Sequence, residues 1–198
     1  MTENPAIDQK LKKIAVINGL IMGAALLAFN IIAFYFITGV ASTAVMFLIA
    51  QIGFSFILPI ALVILFCFRT RMQIGGYWSF RAATTGLFII FLIAYAFQTI
   101  GRDLVFAKFI EPNMVQKTET AALNETTLVM QKGKVDQKLI DKKVAELKKD
   151  FGSQKPITVG NVIQSLVFSI IFIFIFALVF AALFKRELPQ YAGTGEEI

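Results

Sequence analysis

The sequence predicts an all-α, polytopic membrane protein: four transmembrane helices, with a helical extracytoplasmic hairpin between spans three and four. Three observations carry this reading. The 198-residue chain is 57% hydrophobic and 16% charged, where an ordinary soluble domain is about 45–50% apolar and about 25% charged. The charges are clustered rather than dispersed. Four apolar stretches, residues 14–37, 44–68, 80–100 and 162–184, approach or exceed the roughly 20 residues a helix needs to cross a hydrocarbon core about 30 Å thick.

The first span follows Lys10, Lys12 and Lys13. Its apolar run is far longer than the roughly 7–15 residues of a signal-peptide core, so a retained span is expected rather than a cleaved leader. The connection at residues 38–43 carries no charge, and span two ends at Arg69 and Arg71. The stretch GGYWSFRAATTGLF, residues 75–88, then leads into span three. Gly75-Gly76 permits a tight reversal, Tyr77 and Trp78 are expected at headgroup depth, and Ser79 is a helix N-cap. Arg81 can snorkel to the interface. A phosphate-binding loop is disfavoured, because neither the glycine spacing nor the Lys-Ser/Thr pair is present. Span four is followed by Lys185 and Arg186. With Lys and Arg of the tails and short loops all on one side, both termini are predicted in the cytoplasm and the long segment after span three outside.

Within the spans, small residues mark faces where backbones can approach. Span one offers Ala15, Gly19 and Gly23, span three Ala82 and Gly86, and span four Ala177 and Ala181. Gly19, Gly23 and Gly86 are candidate packing positions, within one bundle or between chains. Span four carries Phe168, Phe172, Phe176, Phe180 and Phe184, one every four residues. This ridge either faces lipid, fills grooves between helices, or docks a partner's membrane helix. Asn18, Asn30, Gln51 and Gln98 are polar residues inside spans, and Pro59 is expected to kink span two. Because Asp, Glu and Lys are absent from all four spans, an ion-coupled carrier is disfavoured.

Between spans three and four, residues 102–110 read as an amphipathic continuation of span three. Val135, Leu139, Ile140, Val144, Leu147 and Phe151 then fall at helical spacing, with lysines and acids opposite. Gly133 is the expected break before that helix, and residues 114–130 form a weaker one. Val135, Leu139, Val144 and Leu147 are candidate contacts, to the other arm of the hairpin or to another protein. The chain thus divides into three spans (1–110), an outer hairpin (111–156), and a last span with its tail (157–198).

The chain contains no His and a single Cys, Cys67, so an intramolecular disulfide and a Cys/His zinc site are excluded. The acids outside the spans alternate with lysines, as on a solvated helix face. No catalytic residue, cofactor or metal ligand is assigned, and the protein is not expected to be an enzyme or to bind nucleic acid. The four spans, the "GG-Y-x-SF-x-x-A" entry at Gly75 to Ala83, the helical outer segment and the terminal "FKRE" at Phe184 to Glu187 together resemble the domain-of-unknown-function 4199 family of bacterial inner-membrane proteins. The resemblance implies a four-helix architecture in the bacterial plasma membrane and no reaction. The functional expectation is a non-enzymatic accessory or scaffold subunit of a larger envelope complex, such as protein-export or respiratory machinery. Its partners would be membrane or periplasmic proteins and the bilayer. The alternative is a small homo-oligomeric channel or carrier for a neutral or lipidic solute.

Overall fold

A computed structural model describes residues 5–41, 43–152 and 159–186. Every named element among them is helical. Helix α1 (Pro5–Tyr35) continues into a π-helical turn, Phe36–Val40. Helix α2 (Ala44–Ile52), a π-helical turn (Gly53–Ile57) and α3 (Leu58–Gln73) follow in succession. Helix α4 (Phe80–Thr99) runs on as a π-helical stretch, Ile100–Ile110, and α5 (Met114–Lys132), α6 (Gln137–Gly152) and α7 (Val159–Phe184) complete the chain. Four segments are long and apolar enough to cross a membrane: Asp8–Val40, Val45–Gln73, Phe80–Ile110 and Ile163–Phe184. The chain is a multi-pass, all-α membrane protein.

Local chemistry sets the boundaries. The Thr43 hydroxyl accepts from the Met46 amide at 3.3 Å, and the Ser79 hydroxyl from the Ala82 amide at 3.3 Å. Each offsets one of the unpaired donors that open a helix. Gly75 and Gly76 have φ of +109° and +85°, the left-handed region the predicted reversal requires. Pro59 has no amide proton, so the Ser55 carbonyl loses its usual α-helical donor. The chain answers with an i→i+5 bond, from the Leu58 amide to the Gly53 carbonyl. The other two π-helical segments close in the same way, Ala41 to Phe36 at 2.9 Å and Glu111 to Phe106 at 2.8 Å. Span three therefore outlasts its apolar run and stops at Glu111, where the following proline disfavours helical backbone.

Helix α4 lies between α1 and α7. Its contact with α1 is a backbone approach. A Cβ added at Gly19 would stand 2.9 Å from the Ile90 carbonyl oxygen, and one at Gly23 would stand 2.9 Å from Phe97 Cβ. Gly86 faces Leu11, whose Cδ1 would be 3.0 Å from an added Cβ. On the other side of α4, Ala177 and Ala181 are fully buried, and Phe180 meets Phe91 edge to face at 6.1 Å.

Trp78, at the entry to span three, turns into the bundle and is 3% exposed. Its indole Nε1 donates to the Phe184 carbonyl at 2.8 Å, capping the end of α7. Gly133 is the expected break: α5 ends at Lys132 with Gly133 as its C-cap, and the left-handed φ of +54° falls on Lys134. Helix α6 begins at Gln137, after Val135, because the Asp136 carboxylate accepts from the Lys138 amide at 2.9 Å. Helices α5 and α6 pack on each other, and α5 also rests on α2 and the Phe36–Val40 turn. Ile140 is the buried apolar residue of α6; Val135, Val144 and Leu147 are half-buried and Leu139 is exposed. The expected end of the outer segment at residues 153–156 and the tail at 187–198 lie outside the described residues.

Candidate functional site

A crevice of about 480 Å³ opens in the side of the bundle. Its back wall is Met22 and Leu26 of α1 with Phe91 and Ala94 of α4, and Val63 of α3 closes one side. The outer rim comes from α7, through Phe168, Phe172, Ile173 and Phe176. The wall is almost wholly apolar. Its polar groups are Gln98, Tyr95 and Ser169, and the Tyr95 and Ser169 hydroxyls are hydrogen-bonded at 2.9 Å. Tyr95 stands about 22 Å along the helix from Phe80, so this pair lies well inside the span.

The phenylalanine ridge is split by this crevice. Phe172, Phe176, Phe180 and Phe184 stack in sequence at 5.7, 6.3 and 6.1 Å. Phe180 is buried against α4, and Phe184 meets Phe68 edge to face at 5.1 Å. Phe168 and Phe172 are more than half exposed and line the crevice with Phe176. A four-residue step drifts by about 40°, which is why one ridge serves two environments.

A second cavity, of about 220 Å³, lies further along α1 and span three. It is lined by Asn30 and Phe34 of α1, Thr38, Ser55, and Arg102 and Phe106, and α5 covers it with Met114 and Thr118. Residues of all three π-helical segments meet here. Such segments are rare and are frequent at functional sites. Arg102 is the charged residue among the described lining groups, half exposed, with its Nε 3.2 Å from the Asp103 carboxylate.

The opposite end of the bundle is closed. Asn18 is fully buried and donates from Nδ2 to Thr70 Oγ1 and to Gln73 Oε1, both at 2.8 Å. Trp78 and Arg186 exchange backbone hydrogen bonds at 2.9 and 3.1 Å, and the Arg186 guanidinium lies 5.3 Å over the Tyr77 ring. Of the polar residues singled out within the spans, Gln98 and Asn30 line the two cavities, Asn18 belongs to the closed end, and Gln51 is exposed. Gly19, Gly23 and Gly86 sit in the helix contacts described above and line neither cavity. The meeting of Ser55, Thr38 and Arg102 was not legible in the sequence. The signal that could have pointed to it was Pro59, four residues beyond Ser55.

With this geometry in place, the family can be stated. A family model described as "Protein of unknown function (DUF4199)" matches residues 17–186. The chain belongs to the DUF4199 family. The match spans all four candidate membrane segments except the start of the first, so both cavities of this DUF4199 protein lie inside the family's shared region. Neither the curated proteins nor the solved structures contain a match to the chain.

Proposed function

We propose that this DUF4199 protein is a non-enzymatic integral membrane protein that holds the acyl chain of a membrane amphiphile in its lateral crevice. The observation that carries the reading is the crevice itself. Its size, about 480 Å³, falls within the roughly 300–1,000 Å³ typical of ligand sites, and its few polar groups within apolar walls fit that description too. It is the lipidic form of the solute-handling alternative. A water-filled path for a polar solute is less well supported, because Asn18 is committed to Thr70 and Gln73 while Gln51 lines neither cavity. Under this proposal both termini face the cytoplasm of a bacterial plasma membrane, which reporter fusions after residues 134 and 198 would check.

The test is lipid retention. The full chain, purified in mild detergent, is expected to carry about one lipid per chain in native mass spectrometry. Val63→Phe, which pushes a ring into the crevice without touching the Tyr95–Ser169 bond, is expected to lose most of it. Retention unchanged in that variant, or no retained lipid in the wild type, would sink the reading.

An accessory-subunit role remains a second proposal, favoured by Phe109, 81% exposed at the end of span three, and Leu139, 55% exposed on α6. Both apolar side chains are on or next to charged segments, and a partner that bridged them would bury both. Native sizing with mass spectrometry of co-purifying proteins tests it: a stoichiometric partner supports it, and a particle of this chain alone counts against it.

A further inference from the structure

The two cavities share the same helix faces. Met22, Leu26, Asn30, Phe34 and Thr38 succeed one another at four-residue steps along α1 and its π-helical turn. Phe91, Tyr95, Gln98, Arg102 and Phe106 do the same along span three, at steps of three or four. On span two, Ser55 lines one cavity and Val63 the other, with Pro59 midway. The crevice and the second cavity therefore lie one after the other along the same side of the α1–span three pair. Along that side the polar share of the lining rises, although Phe34 and Phe106 still line the second cavity. The phenylalanine end is apolar; next come Gln98 and the Tyr95–Ser169 pair, then Asn30, Ser55 and the Arg102 guanidinium.

We infer that the second cavity receives the anionic headgroup, a phosphate or a carboxylate, of the same amphiphile whose acyl chain lies in the crevice; this rests on the crevice reading above. The guanidinium presents donors in a fixed fork suited to two oxygens of a phosphate or carboxylate. Asp103 contacts the Nε edge of that fork, and an exposed pair of neighbours such as Arg102 and Asp103 is weakly held. Asn30 Nδ2 gives one of its two protons to the Leu26 carbonyl, and the Thr38 and Thr118 hydroxyls donate to Phe34 and Met114 carbonyls of their own helices. Arg102 is thus the donor group of the lining best placed to turn toward an anion. The headgroup would sit where the apolar run of span three gives way to Gly101, Arg102 and Asp103, about 33 Å along the helix from Phe80. This is the depth expected of a lipid headgroup, and the reason the occupant is assigned as an amphiphile rather than a soluble anion.

The experiment places a reporter in the crevice. Phe172→Trp is made in the full chain and reconstituted into nanodiscs, with Trp78, buried at the other end, as constant background. Quenching is compared between phosphatidylglycerol and phosphatidylcholine carrying brominated acyl chains, each diluted into the unbrominated form of the other. The relative affinity for the anionic lipid is expected to be several-fold above one. It should fall to about one in Arg102→Gln, survive in part in Arg102→Lys, and rise in Asp103→Asn. Lys12→Gln, at the far end, should leave it unchanged. Quenching of the reporter with no headgroup preference, or a preference that Arg102→Gln leaves intact, overturns the headgroup assignment while sparing the crevice. No quenching beyond that of a reporter at Ile171→Trp, exposed on α7 and lining none of the cavities, overturns both. Loss of the bound lipid on adding inorganic phosphate at millimolar concentration would show a site for a soluble anion and overturn the amphiphile assignment.

Discussion

The two ends of the helix bundle are built on opposite terms. At the end formed by residues 70–78 and 184–186, Asn18, Thr70 and Trp78 are buried and hydrogen-bonded across helices, while Asn18 Oδ1 and Arg71 Nε are buried without a partner. Asn18 bridges to Thr70 and Gln73, Trp78 caps α7, and backbone amides of Trp78 and Arg186 pair across the gap. At the other end, all three π-helical segments converge on a cavity lined by Asn30, Ser55 and Arg102. A membrane interior gives helices little hydrophobic reason to associate, so close backbone contact and hydrogen bonds decide where a bundle is tight. The chain concentrates its interhelical side-chain hydrogen bonds toward the first end, while close packing runs along the whole α1–span three seam, from Gly19 and Gly23 to Gly101 against Leu27. The other end combines i→i+5 backbone with open volume beside the buried Phe106.

That contrast can be broken most forcefully at the α1–α4 contact. Gly23→Leu would drive a side chain into Phe97 and the Ala94 backbone; overpacking typically costs about 1–3 kcal/mol, and a backbone clash stands at or above the upper bound. The folded fraction in SDS titration should collapse. Gly53→Ala, in the open half with no neighbour within 4 Å of an added Cβ, should change stability by less than about 1 kcal/mol. Equal losses in both would dissolve the distinction between the halves. Next in size is Trp78→Phe, which keeps the ring but strands the Phe184 carbonyl; about 1–3 kcal/mol is expected from the same titration. Asn18→Leu comes after it, at about 1–2 kcal/mol, since buried hydrogen bonds between membrane helices are modest in worth.

Much of the closed end was legible from sequence, because its devices are local. Gly75-Gly76, the Ser79 cap and the four apolar runs each announce themselves within a few residues. The inward turn of Trp78 was not legible, since its partner Phe184 is remote in the chain. The same holds for the open end. Arg102 reads as an interfacial charge following an apolar run, and only the fold brings it beside Asn30 and Ser55. The π-helical geometry also escaped, because hydropathy with a period near 3.6 does not report a switch to i→i+5 bonding. Pro59 was flagged as a kink, but a proline alone does not say on which side the backbone will widen.

The smallest expected effect on stability comes from Pro59→Ala, and it gives the sharpest reading of the open end. Proline costs about 3 kcal/mol relative to alanine inside a regular helix, yet here the Gly53–Ile57 turn has already accommodated it. The net change is therefore expected below about 1 kcal/mol. The informative readout is the lipid. A π-helical turn amounts to one inserted residue, so its relaxation to α-helix rotates the residues before it by about 100° relative to those after it. If Pro59 imposes the turn, Ser55 swings away from the second cavity while Val63 keeps its place in the crevice. Acyl-chain quenching at residue 172 should then persist while the preference for an anionic headgroup drops. If instead the packing of α2 and α5 holds the turn, both properties stay as they are, and the backbone at the open end is set by its neighbours rather than by the proline.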